Sequence, residues 1–127
     1  MAGAILAHLS GGRIHVESCG VRAGTLDGFT LAVMNEIGID LSGFESKDFE
    51  HLPDMVFDLV VSLTPEAHHH ALDLMGSKAR ESVYWPTFDP TAVWGSREQI
   101  LGAYRDVRDD LMRRIESRFE LRPTPNP

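Results

Sequence analysis

The stretch Phe57 to Leu63, FDLVVSL, limits what this 127-residue chain can fold into more than any other. It is nearly continuous Val and Leu, the pattern of a parallel strand covered on both faces rather than of a half-exposed strand, which would alternate. Thr64 follows as an N-cap, with Pro65 and Glu66 in the first turn, a strong helix start. A buried strand that runs straight into a helix is the building unit of an α/β fold, and the flanking segments repeat the alternation.

Met1 to Leu9 has the composition of a buried helix, stopped by Ser10-Gly11-Gly12. Arg13 to Ser18 alternates Ile14 and Val16 with polar residues and reads as a strand. Residues 19–24 form a loop. A second helix spans roughly Gly28 to Glu36, with Asp27 as N-cap and Gly38 as its stop. Residues 46–52 suit a short helical turn. The Thr64 helix ends at Gly76, and Glu81 to Trp85 is a third strand. Ser96 and Gln99 form a capping box for a last helix to about Phe119. Its stripe of Ile100, Leu101, Tyr104, Val107, Leu111, Ile115 and Phe119 makes one apolar face. The tail RPTPNP is too Pro-rich to pack and is expected to be disordered. Right-handed crossovers then give one α/β domain over residues 1–119 with a short parallel sheet.

Between the third strand and the last helix lies WPTFDPTAVWG. Pro86 and Pro90 each fix their own φ and push the preceding residue toward extended geometry, so this loop is shaped. It presents Asp89 just past the C-terminal end of a strand, where α/β proteins place their chemistry. Asp before Pro is also common turn chemistry, so a capping role stands beside a catalytic one. Trp85, Phe88 and Trp94 suit either a pocket wall or core packing.

A single cysteine leaves no internal disulfide and fits a reducing, cytoplasmic setting. The net charge of −7, without a basic stripe, argues against nucleic acid. No apolar run is long enough to span a membrane. His68-His69-His70 looks like a metal cluster, but consecutive helical residues point about 100° apart and cannot converge on one ion. A solvated helix face is expected there, and no metal or cofactor. Cys19 has no Arg six residues on, only Thr25, and Arg22 is too early for a phosphate loop. It is expected to be an incidental thiol.

Several stretches taken together resemble the low-molecular-weight protein-tyrosine phosphatase family, which includes thioredoxin-coupled arsenate reductases. They are VESCGVRAG at Val16 to Gly24, MNEIGIDLSGFESKDF at Met34 to Phe49, FDLVVSLTPEA at Phe57 to Ala67, YWPTFDP at Tyr84 to Pro90, and the helix from Gly95 to Ile115. The resemblance implies a three-layer α/β sandwich, with Asp89 as general acid and Phe44 as a substrate-wall residue. It also implies a phosphotyrosine substrate attacked by a thiolate.

The family opens with an apolar strand and a Cys-x5-Arg phosphate loop, which this sequence lacks. By that resemblance the chain is an N-terminally truncated relative, inactive in this form because its nucleophile and arginine are absent. The alternative is a non-catalytic binding or oligomerisation module. An in-frame Cys-x5-Arg upstream of Met1 would favour truncation, and a nearby stop codon the module. Arsenate reduction needs more cysteines to relay a disulfide and is set aside for this chain. A sheet short of its central strand leaves sticky edges, so homo-oligomerisation is expected, with the chain itself or a phosphoprotein as partner.

Overall fold

The computed structural model describes residues 1–20, 27–42 and 47–120. Phe44, Arg22 and the tail from residue 121 lie outside the described residues. Among those described, the elements are α1 (Ala2–Leu9), α2 (Gly28–Asn35), β1 (Val60–Ser62), α3 (Pro65–Met75), β2 (Ser82–Tyr84) and α4 (Arg97–Phe119). The protein is therefore α/β, with four helices and a short parallel sheet. It forms two compact units, one built on α1, α2 and α4, the other on β1, α3 and β2.

In the helical unit, α4 is the organising element. Ser96 Oγ accepts from Gln99 N at 3.2 Å and Gln99 Oε1 accepts from Ser96 N at 2.8 Å, the reciprocal cap expected from sequence. The apolar stripe buries Leu101, Tyr104, Val107, Leu111 and Ile115, and Ile5 of α1 and Val33 and Met34 of α2 are fully buried in the same unit. Val33, Leu101 and Tyr104 form one cluster, with Met1, Phe29, Ala32 and Ile100 packed around it.

Arg108 was not legible in the stripe. It is 8% exposed, and Nη1 donates to Val33 O at 2.9 Å and to Glu36 at 2.7 Å. The last carbonyls of a helix have no partner in the next turn. At the end of α2 the backbone bonds pass to Met34 O and Asn35 O, and the Val33 carbonyl is met by Arg108 instead. Arg105 grips Glu36 in a fork, Nε and Nη2 both donating at 2.8–3.0 Å. Those guanidiniums, Arg105 first, hold the Glu36 carboxyl down at about 2. A depressed carboxyl stabilises the fold above its unfolded value near 4.5 and loses that contribution as pH falls toward 2. Glu36→Gln is accordingly expected to flatten the acid limb of stability between those pH values, read by denaturant titration at several pH steps.

Gly95 enters α4 with φ +141°, and a Cβ there would fall 2.2 Å from Gln99 Oε1. Gly95→Ala must therefore swing Gln99 out of the cap and strain the backbone. A loss of about 1–2 kcal/mol is expected, measured by chemical denaturation.

In the second unit, β1 and β2 pair in parallel with Val60, Val61 and Ser62 opposite Ser82, Val83 and Tyr84. The ladder is shorter than FDLVVSL suggested, although Phe57 and Ala79 bridge upstream of it. Thr64 Oγ1 accepts from Ala67 N at 3.1 Å and opens α3 as expected.

One expectation is corrected. Arg13 to Ser18 has alternating residues but, among the described residues, joins no ladder; Gly20 beyond it bridges to Asp48. Side-chain alternation marks a segment as able to be a strand, whereas being one requires a neighbouring backbone to hydrogen-bond with. The short helical turn expected within residues 46–52 is present as a single 3-10 turn at Phe49–His51, where Asp48 caps and Leu52 is already extended.

Candidate active site

Asp89 lies where the shaped loop meets the helical unit, and it is exposed. It adopts extended geometry and caps the 3-10 turn Pro90–Ala92. Its Oδ1 accepts from Thr91 N at 2.9 Å and from Thr91 Oγ1 at 2.6 Å. The capping role expected of an Asp before Pro is therefore filled by Oδ1. Upstream, the β1–β2 ladder continues into the loop: Trp85 N donates to Ser62 O at 2.8 Å and Thr87 N to Leu63 O at 3.1 Å. Thr87 Oγ1 closes back on Trp85 O at 2.9 Å. The loop carrying the carboxylate is held on both sides, as its two prolines suggested.

Sequence reasoning missed a hydrogen bond between α4 and the start of α2. Tyr104 of α4 donates its hydroxyl to Asp27 Oδ2, while Asp27 Oδ1 accepts from Phe29 N at 2.8 Å and caps α2. Burial, then the Asp27 bond and the charges of Asp27 and Asp89, push the Tyr104 hydroxyl up to about 12. Tyr104 therefore stays a neutral donor. The capping signal at Asp27 was legible, but its bond to a residue 77 positions away was not.

Cys19 belongs to the other unit. It is half-buried, and desolvation pushes its thiol up, against Lys47, which lowers it, and with Asp48, which raises it. The net direction is upward, away from the thiolate that nucleophilic attack requires. Beside it, Asp48 Oδ1 and His51 Nδ1 lie 2.5 Å apart, and Gly20 N donates to Lys47 O at 3.0 Å.

The three consecutive histidines diverge. His68 stacks on Tyr84 with ring centroids 5.2 Å apart, His69 pairs with Asp73 at 3.2 Å, and His70 stacks on Phe49 at 6.0 Å. This is not the solvated face expected of all three, since two of the rings pack on aromatics. Among the described residues no three His, Cys, Asp or Glu side chains group around a possible metal position. Nor is any helix among them long and apolar enough to cross a membrane.

A short parallel sheet followed by a fixed Asp-Pro loop and a capped C-terminal helix makes this an α/β protein. No family model matches the chain. It is 32% identical over 104 residues to an arsenate reductase of Halalkalibacterium halodurans, covering 80% of this chain and 72% of that one. It is 29% identical over 117 residues to a glutaredoxin arsenate reductase of Synechocystis sp., covering 92% and 83%. Among solved structures, an arsenate reductase in reduced state superposes with a TM-score of 0.72 at 26% identity, covering 94% of this chain and 85% of that one. An arsenate reductase in the phosphate binding state gives 0.68 at 27% identity, with the same coverage. The chain belongs to the arsenate reductase family. The kinship falls on the branch whose activity the cysteine count had set aside.

Proposed function

We propose that this chain is an arsenate reductase relative on a low-molecular-weight phosphatase-like scaffold that keeps the proton-handling loop but has no working nucleophile. The reaction class of such a scaffold is thiolate attack on a tetrahedral oxyanion, arsenate or a phosphate ester, with an acid protonating the oxygen that leaves. Asp89 is the residue that the resemblance offers for that acid role. The observation that carries the reading is the state of Cys19, the only thiol in the sequence. It is half-buried, and desolvation raises its pKa, with Lys47 working against that and Asp48 with it. No Cys-x5-Arg occurs anywhere in the 127 residues. Reducing arsenate to arsenite takes two electrons, normally delivered as two thiols become a disulfide, and one thiol cannot close that disulfide within the chain.

The test is turnover by the purified 127-residue chain and by Cys19→Ser. The assays use p-nitrophenyl phosphate, and arsenate with glutathione and glutaredoxin. Equal, background-level rates for both proteins are expected with both substrates.

A second reading, the binding or self-associating module, is favoured by the sheet. Val60 N and Ser62 O bond toward β2, and among the described residues β1 has no strand on its other side. A free edge of this kind pairs readily with another chain. Sedimentation velocity over a hundredfold concentration range decides it: a monomer throughout removes this reading.

A further inference from the structure

We propose that the Asp48–His51 contact is a pH-sensitive clip, which holds the Cys19–Gly20 segment closed in mild acid and lets it open as pH rises past neutrality. All four residues belong to the second unit. Asp48 joins three features. Its Oδ1 caps the 3-10 turn, accepting from His51 N at 3.2 Å. The same oxygen meets His51 Nδ1 at 2.5 Å. Its backbone bridges in parallel to Gly20, whose N–H donates to Lys47 O at 3.0 Å. Cys19, half-buried, is the residue just before that bond. Among the described residues, this bridge is the backbone pairing that ties the Cys19–Gly20 segment down. The turn itself has a base on α3, where Phe49 stacks on His70.

The titratable groups around the clip set its direction. The Asp48 carboxylate, by its hydrogen bond and then its charge, raises His51 above an unfolded value near 6.5, against slight desolvation and with help from Glu50. His51 in return holds Asp48 below its ordinary value near 3.8. A raised histidine contributes fully below its unfolded value and loses that contribution as pH climbs through the folded one. A lowered carboxylate contributes above its unfolded value. The clip is therefore tightest between those two values and slackens on the alkaline side. Neutral imidazole still donates from Nδ1, but charge-assisted bonds are about twice as strong as neutral ones.

The effect is local. The His51 side chain is 71% exposed and that of Asp48 29%, and a pair this exposed adds little to global stability. A bridge of a single residue pair opens far more readily than a core element, so a small bias changes how often it is open. Opening relieves the burial that pushes the Cys19 thiol up, and slackening the clip thus brings the thiol into water.

The test is the rate at which a dithiodipyridine reagent labels Cys19 in wild type, His51→Leu and His51→Arg. Comparing proteins at one pH cancels the titration of the thiol itself. The Leu variant is expected to react about threefold faster than wild type at about pH 5.5 and equally fast at about pH 8.5. The Arg variant, charged at both, should stay slow at both. Exchange of the Gly20 amide, corrected for its intrinsic rate, reads the same opening without the thiol and should follow the same pattern. Melting temperatures should agree among the three. Equal rates for Leu and wild type at the lower pH, or a ratio that does not change with pH, would overturn the proposal. So would a melting temperature lowered in His51→Leu, since the contact would then be holding the fold rather than the segment.

Discussion

Leu111→Ala is expected to destabilise the protein by about 3–4 kcal/mol, the largest effect of any single truncation considered. Leu111 is 1% exposed on the buried face of α4. Removing its branched end forfeits the transfer energy of the lost methyl groups and leaves a cavity that a long, capped helix cannot collapse to fill. A midpoint shift at unchanged m-value in urea measures it, and a Tm lowered by roughly 10 °C should accompany it. Leu72→Ala is the control. Leu72 is 54% exposed on α3, and its truncation should stay within about 0.5 kcal/mol. Equal losses at the two sites would mean that α4 is not the organising element.

Arg108→Ala ranks second, with an expected loss of about 2–4 kcal/mol. The substitution orphans the Val33 carbonyl, which has no other partner among the described residues, and an unsatisfied buried acceptor costs about 1–3 kcal/mol. It also removes the packed stem of a side chain that is 8% exposed. The Glu36 pair adds little, because Glu36 is partly exposed and keeps Arg105. Arg108→Lys should recover only part of the loss. One ammonium cannot replace a guanidinium whose Nη1 meets Val33 O and Glu36 while Nε meets Asp109 at 2.8 Å. Full rescue by lysine would show that charge alone is what matters there.

These two residues mark how far the sequence could be read. Leu111 was legible because helical spacing is a local property: the Ser96–Gln99 box and the apolar repeat announce α4 without reference to the rest of the chain. The α3 start at Thr64-Pro65 and the Asp27 cap were legible for the same reason. Arg108 was not, since a charged residue on an apolar seam declares itself only through a carbonyl 75 positions away. The Asp27–Tyr104 bond is the same case. Strands failed for a related reason. Arg13 to Ser18 carries a strand's alternation, and the run from Phe57 carries a buried strand's composition, yet ladder length depends on what lies alongside. Of the candidate site, the fixed loop around Asp89 was readable from two prolines. The capping role offered for Asp89 is the one its hydrogen bonds show, and Phe44 lies outside the described residues.

The kinship with arsenate reductases sharpens what the cysteine count means. One thiol closes no disulfide within these 127 residues, and an external thiol such as glutathione is the source of a second. The state of Cys19 then matters: half-buried, with desolvation pushing its thiol up, Lys47 lowering it and Asp48 raising it.

The most direct measurement is the rate at which the purified chain, with glutathione and glutaredoxin, converts arsenate to arsenite, compared with Cys19→Ser under identical conditions. Two traces at the no-enzyme rate are the expected result. Arsenite formed by the wild type and lost with the serine substitution would make Cys19 a working nucleophile and contradict the account.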